Sequence, residues 1–440
     1  MGETVVIGAG LSGLSAAYHL RDGCTVLERS GRAGGLCRTE NIGGFLFDYA
    51  IHVFYTQDRY VKALLSELLG ENLATVVRES WVYSRGVYTR YPFQANTYGL
   101  PVGVVKDCIL GLVEAREGPR KRLKSFEDWI LATFGRGIGE HFMLPYNTKL
   151  WTVPPSRMCH EWTSFRVPKP RLDEVLEGAL REQPKNFGPN AQFLYPRRGG
   201  IGAIADAFVP RLGDLRFNTA AARIDMEKRQ VRTEKGEPFP YEKLISTVPL
   251  PELVRMLGGD VPAGIRQAAR ALMFNKVLVV NMGIDRENMT FRHWVYYPEK
   301  KYSFYRASFP SELAPNMAPA GKSSVTVEIA YPRHRPMETA GRELLIDRVI
   351  NELASTGLFE PSEVVVRDAR IMHPAYVIYD HSHRRNVALV HGFLRKHGII
   401  PAGRFGEWEY LNMDHAILSG RLAAGEAAGR KGSHGYRTPR

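Results

Sequence analysis

Cysteine is scarce in this chain of 440 residues: there are four (Cys24, Cys37, Cys108, Cys159), with no C-x-x-C pair and no metal-like spacing against histidine. That argues against a disulfide scaffold and a thiolate metal site, and it reads as reduced, mostly structural thiols in a cytoplasmic protein. Long apolar runs are missing too, so no segment has the length of a membrane span. The first strand is expected to start at Thr4, which leaves no room for a signal peptide. Val6 breaks the pattern a myristoylated Met1-Gly2 start requires. Internal repeats are absent. Acid is in deficit: 46 acidic against 59 basic side chains give a formal charge of +13. Such a surplus attracts phosphates, whether on a small molecule, a nucleic acid or a membrane. The densest basic cluster (Arg116, Arg120, Lys121, Arg122, Lys124) has no interleaved aromatics, which favours a solvated loop over a nucleic-acid surface. With 44% hydrophobic residues, the length suits a soluble chain of two domains.

Glycine is plentiful and pointedly placed. Residues 5–13 read Val-Val-Ile-Gly-Ala-Gly-Leu-Ser-Gly, so Gly8, Gly10 and Gly13 have the G-x-G-x-x-G spacing, and Glu28 follows Gly8 by twenty positions. An apolar run feeds this turn, an alternating stretch from Leu11 to Arg21 leaves it, and a short β-run from Cys24 to Leu27 delivers Glu28. In a dinucleotide site Gly8 permits the tight turn, Gly10 lets a pyrophosphate reach the backbone, and Gly13 lets helix and strand pack closely. Helix N-terminal amides would hold the phosphates, and Glu28 would accept from a ribose. The plainer alternative is a βα turn whose glycines serve packing alone. A second cluster, Gly31-Arg-Ala-Gly-Gly-Leu-Cys-Arg38, follows at once. Gly34 and Gly35 would allow close approach to the diphosphate, with Arg38 as its charge partner and Arg29 nearby.

Further along, residues 43–55 read as a turn and a strand ending near His52. The pattern becomes helical from about Val102 to Glu182, with a capping-box start at Ser125-Phe-Glu-Asp128 and Gly135 as a helix stop. Short strands fill 217–249, with a hairpin at Lys235-Gly236 and a buried strand at Leu244 to Val248 that returns to the nucleotide unit. Strands recur at Lys276 to Ile284 and Ser323 to Ala330. Helices are expected at Arg342 to Ser355 and Asn412 to Ala428, and disorder over 430–440. The fold class is therefore α/β: a discontinuous dinucleotide-binding unit beside a helical block and a middle sheet, with the site in the cleft between them.

Several segments then resemble one family. They are Tyr91-Pro-Phe-Gln94, Pro145-Tyr-Asn-Thr-Lys-Leu-Trp151, Trp162-Thr-Ser-Phe-Arg166, Phe187-Gly-Pro-Asn190 and Tyr195-Pro-Arg-Arg-Gly-Gly200. After these come Trp294-Val-Tyr-Tyr-Pro298, Phe304-Tyr-Arg306, Gly403-Arg-Phe-Gly406 and Tyr410-Leu-Asn-Met-Asp-His415. In this order they are similar to the UDP-galactopyranose mutases, flavoenzymes within the larger amine-oxidase-like FAD group. The resemblance implies a Rossmann-type FAD-binding domain from 1–90, 191–260 and 386–430, a helical domain at 91–190, a mixed-sheet substrate domain at 261–385, and a tail at 431–440. It implies FAD, active when reduced, as a nucleophile toward the anomeric carbon of an anionic nucleotide sugar. A covalent N5–sugar adduct then lets the ring open and reclose without net redox.

The same resemblance assigns residues. Arg166 and Arg306 would bind the diphosphate, and Tyr376 and Tyr410 would hold it through their hydroxyls. Tyr296 would stack on the base, with Tyr91, Gln94 and Trp294 at that end. Asn147, Trp151 and Asn190 would line the sugar and phosphate region. His52, Arg404, Asn412 and Met413 would meet the flavin. Two departures stand out: Ala50-Ile51 precedes His52 where the family has small glycines, and Val377 follows Tyr376 where proline is frequent. No second glycine fingerprint offers an NAD(P)H site, so an external NAD(P)H reductant would borrow the substrate cleft. Neither a nucleic acid nor a membrane span is expected, and a homo-oligomer stays open. The competing reading is an FAD-dependent oxidoreductase of the amine oxidase or desaturase type. A third is a non-catalytic flavoprotein or nucleotide-sugar-binding relative.

Overall fold

The run Thr4–Ile7 becomes the middle of a five-stranded parallel sheet, whose order is Ile399–Pro401, Lys243–Ser246, Thr4–Ile7, Cys24–Leu27 and Asp214–Arg216. The structure is a computed structural model that describes residues 3–119, 122–163, 167–185, 187–188, 191–335 and 341–430; the expected tail at 431–440 lies outside the described residues. Both faces of the sheet are covered. Val6, Ile245 and Ile400 pack with helices Leu11–Leu20 and Met413–Ala427. Val5, Leu244 and Ile399 pack with Leu250–Met256, Ala263–Ala271 and His383–Lys396. A parallel sheet buried on two faces needs strands apolar throughout, which is why the strand at 244–248 stood out in the sequence. The strands come from the start, middle and end of the chain, so the unit is discontinuous.

A mixed seven-stranded sheet faces it, in the order Val364–Ile378, Met273–Ile284, Ser323–Pro332, Arg306–Ser308, Trp294–Tyr296, Ser80–Ser84 and Val87–Arg90. The last two strands correct the expected boundary at 90. They hydrogen-bond into this sheet, through parallel pairing of Ser80–Ser84 with Trp294–Tyr296, and not into the nucleotide unit. The long strand Val364–Ile378 is absent from the sequence reading because its edge position exposes Arg367 and interleaves charge with apolar residues. The strand expected to end near His52 stops at Asp48, in the hairpin Thr39–Ile42/Phe45–Asp48.

In the helical block the Ser125 capping box forms, with Ser125 Oγ accepting from Asp128 N at 3.1 Å and the Asp128 carboxylate accepting from Ser125 N at 3.0 Å. Helix Phe126–Ile138 bends at Gly135 instead of stopping there. At φ 77° this glycine presses on helix Val102–Glu117, and a Cβ there would sit 1.9 Å from Gly111 O. Among the described residues no helix is long and apolar enough to cross a membrane.

Candidate active site

The carboxyl ends of the parallel strands and one face of the mixed sheet enclose a cavity of about 1220 Å³. Ordinary ligand pockets run to roughly 300–1,000 Å³, so this one has room for a dinucleotide and a second ligand.

At its nucleotide end the two readings of the glycine turn separate. A Cβ on Gly13 would sit 1.8 Å from Gly8 O, and one on Gly8 (φ 97°) would sit 2.2 Å from Thr247 Oγ1. Those two glycines serve packing. Gly10 does not: a Cβ there would meet only Gly35 Cα, at 3.9 Å, and would otherwise fill the cavity it lines. Gly34 and Gly35 line the wall opposite, joined to the turn by the Gly34 N to Ala9 O bond of 2.8 Å. Glu28, 6% exposed, accepts from Ala9 N at 2.8 Å and from Ser30 Oγ at 2.6 Å. Arg38, expected as a diphosphate partner, lines the same cavity. It reaches Glu28 at 3.5 Å and donates to Ala33 O at 3.0 Å, because the tight loop turns its guanidinium back onto the loop's own carbonyls. Arg29 is exposed at the cavity rim. Helices Leu11–Leu20 and Met413–Ala427 both begin at the cavity, at Gly10 and Asn412, and neither has a side-chain cap. First-turn amides at such helix ends can meet an anion, although in the second helix His415 N already donates to the Asp414 carboxylate at 2.7 Å; Met413 opens that helix on the same wall.

In the middle, Arg306 lines the cavity while donating from Nε and Nη2 to the two oxygens of Glu328, at 2.8 Å each. Glu328 is 0% exposed and also accepts from Tyr305 OH. The sequence reading missed this acid. Its signal was a lone charge inside an apolar strand, Val327-Glu328-Ile329. Tyr376 and Tyr410 stack 5.8 Å apart with Arg404 alongside both rings. Burial pushes the Tyr376 hydroxyl up to about 12, so it stays a donor.

His52 lines the same wall, its Nδ1 3.1 Å from Ala50 O. A carbonyl only accepts, so Nδ1 carries the proton and Nε2 is left as an acceptor. Burial lowers its pKa to about 4, the Ala50 carbonyl opposes that shift, and Arg404 and Arg306 reinforce it. A depressed histidine pKa makes proton uptake favour the unfolded chain, so this contribution to stability is present above about pH 6.5 and is lost as pH falls toward 4. Its imidazole nitrogens, followed by NMR, are expected not to titrate between about pH 8 and 5; a midpoint near 6.5 would contradict the buried, neutral ring. Ala50 is 4% exposed and packs against Val277, Val279 and Tyr305, so the departure before His52 is built into the core.

At the far end Tyr91 and Tyr296 meet at 5.1 Å, with Tyr146 edge-on to Tyr296 at 5.3 Å and Trp294 beside them. Arg78, also missed by sequence reasoning, lies over the Tyr91 ring at 5.5 Å and donates to Phe187 O at 3.0 Å. Three expected cavity residues stand behind the wall instead. Gln94 donates to Pro168 O at 2.9 Å. Asn147 donates to Met143 O at 2.8 Å and accepts from Trp151 Nε1 at 3.1 Å. One helical turn apart, Asn147 and Trp151 satisfy each other, and Trp151 braces Tyr376 and Tyr410 edge-on. Arg166 and Asn190 lie outside the described residues.

The family described as flavin containing amine oxidoreductase matches residues 11–428. The crystal structure of reduced UDP-galactopyranose mutase superposes with a TM-score of 0.92 at 30% identity, over 98% of this chain and 94% of that one. The chain belongs to the UDP-galactopyranose mutase family. That family sits within the flavin-containing amine oxidoreductases, and putrescine oxidase shares the fold at a TM-score of 0.66 and 17% identity, over 98% of this chain and 99% of that one. Coproporphyrinogen III oxidase of Mycobacterium tuberculosis is 25% identical over 308 residues, 63% of this chain, and the chain spans 66% of that relative's length. Mitochondrial protoporphyrinogen oxidase of Nicotiana tabacum is 22% identical over 417 residues, 80% of each chain. For this mutase-family chain the residues fit FAD: Gly10 leaves open the space a phosphate would take, two uncapped helices point at it, and Glu28 stands at the strand end.

Proposed function

We propose that this protein is a flavin-dependent mutase that interconverts the pyranose and furanose forms of a nucleotide-diphosphate sugar, UDP-galactose or a related sugar. One observation carries the reading. An arginine held rigidly by a buried acid shares a cavity with a stacked tyrosine pair and an aromatic wall. Reduced FAD, when bound, supplies the nucleophile for the anomeric carbon, with NAD(P)H as its external reductant.

The chain's own groups supply the rest. Glu328 takes Nε and one hydrogen-bonding position of Nη2, so Arg306 has Nη1 left to neutralise a departing diphosphate. Tyr376 remains a protonated donor for the same oxygens, with the Tyr410 phenol stacked beside it. Tyr91 and Tyr296 offer ring faces and edges to a base, with Tyr146 braced edge-on against Tyr296, and burial raises all three phenols above their usual range. His52, neutral at working pH, offers an acceptor and no extra charge.

The test uses FAD-loaded protein reduced with dithionite and given UDP-galactopyranose or UDP-galactofuranose. Chromatography is expected to show each converted into the other, and no interconversion of any nucleotide sugar tried would sink the reading. The competing oxidase reading, to which the porphyrinogen oxidase relatives lend weight, predicts that an amine or a porphyrinogen bleaches the oxidised flavin without NAD(P)H.

A further inference from the structure

Arg404 was expected to meet the flavin, yet its contacts converge on two tyrosines. Its Cζ lies 5.0 Å from the ring centre of Tyr376 and 4.7 Å from that of Tyr410. Nη2 donates to Ala375 O at 3.2 Å and Nη1 to Leu411 O at 3.3 Å. Those carbonyls belong to the residue just before Tyr376 and the residue just after Tyr410. A planar fork can hold two such acceptors at once, where a lysine offers only a point charge. It thereby bridges the end of strand Val364–Ile378 and the turn ahead of helix Met413–Ala427, segments that share no strand pairing. Trp151 closes the arrangement from another side, edge-on to Tyr376 at 5.7 Å and to Tyr410 at 5.9 Å. Tyr379 OH fixes the backbone by accepting from Tyr410 N at 2.6 Å.

We infer that Arg404 is a positioning residue that acts through Tyr376 and Tyr410, holding the two phenols side by side as a hydroxyl pair for the diphosphate of the substrate. The inference rests on the mutase reading, which supplies the diphosphate. Three observations separate it from simple packing. Both terminal nitrogens are used on the tyrosines' own neighbours. The guanidinium lies beside two ring faces, where a cation is attracted and also strengthens the phenols as donors. Its remaining nitrogen, Nε, is buried without a hydrogen-bond partner, a cost that a residue kept only for packing would not need. The Tyr376 hydroxyl shows the same balance: burial raises it, and Arg306 and Arg404 pull it back.

The experiment measures binding of UDP and of uridine to FAD-loaded protein by calorimetry, with flavin content checked by absorbance. Arg404→Met is expected to weaken UDP roughly tenfold, the scale of one or two mispositioned donors, while uridine binding is unchanged. Arg404→Lys keeps the charge but not the fork and should fall between. In a Tyr376→Phe/Tyr410→Phe background, Arg404→Met should add little further loss. Unchanged UDP affinity in Arg404→Met would overturn the proposal. So would an equal loss for uridine, an equal loss in the double-phenylalanine background, or loss of flavin from both Arg404 variants. A wild-type holoenzyme that binds no UDP would overturn the mutase reading itself, and this proposal with it.

Discussion

Glu328→Ala is expected to lower kcat/KM for nucleotide-sugar interconversion by roughly 100-fold, the scale of losing one oriented electrostatic group, and to lower the melting temperature as well. Glu328 is fully buried, and the Arg306 side chain is only 16% exposed. Removing one partner of a buried pair leaves the other charge uncompensated, which costs about 3–5 kcal/mol. The alanine also frees Tyr305 OH, which donates to the same carboxylate. Arg306 would then swing away from the position fixed by its two bonds. Glu328→Gln, which keeps the shape and one acceptor, should retain more activity and more stability. The Arg306→Ala/Glu328→Ala double variant should melt higher than either single variant while staying inactive, since no lone charge is left behind. Thermal melts and steady-state kinetics on the four proteins decide the matter. Single variants that melt and turn over like wild type would show that the pair neither holds the fold nor aims the arginine.

Gly13→Ala should cost about 3 kcal/mol of stability, at the upper end of overpacking penalties, and abolish flavin binding. The added Cβ would lie 1.8 Å from Gly8 O and 3.0 Å from Gly8 C, both backbone atoms in a turn that already runs at φ 97°. Nothing flexible can yield there. Gly10→Ala, three positions earlier, should behave differently. Its Cβ meets no protein atom closer than 3.9 Å, so the apoprotein should melt like wild type while losing FAD. Urea titration of the apoproteins and flavin content after desalting separate the two. A Gly10→Ala protein that keeps FAD at full occupancy would mean that the phosphates do not pass this point.

The two glycines show how sequence and structure divide the problem. Spacing alone pointed to a phosphate-binding turn, but only distances distinguish the glycine that accommodates neighbouring backbone from the one that leaves the cavity open. Arg306 shows the same division. Its aromatic setting marked it as a phosphate binder against a surface ion pair, and the structure holds elements of both: it is ion-paired, but to a buried acid and with the guanidinium still on the cavity. Asn147 and Trp151 were legible as a motif and misplaced as a wall. Four residues apart on one helix, they bond to each other, and the helix turns that face away from the cavity.

Short spacings control the features legible before the chain folds: the βα turn through Gly13, Glu28 at the next strand end, the Ser125 cap, the apolar strands of the parallel sheet, and the family. Each depends on neighbours a few residues away or on continuous burial, and both leave periodic marks. Folding in three dimensions sets which sheet takes Ser80–Ser84, that Val364–Ile378 is a strand, that Glu328 holds Arg306, and that Arg404 lies along Tyr376 and Tyr410. Apart from Arg404 and Tyr410, which are six positions apart, those pairings join residues tens to hundreds of positions apart. Their energy comes from burial and hydrogen bonds formed after the chain has closed on itself, and no local pattern records which distant partner a buried charge will find.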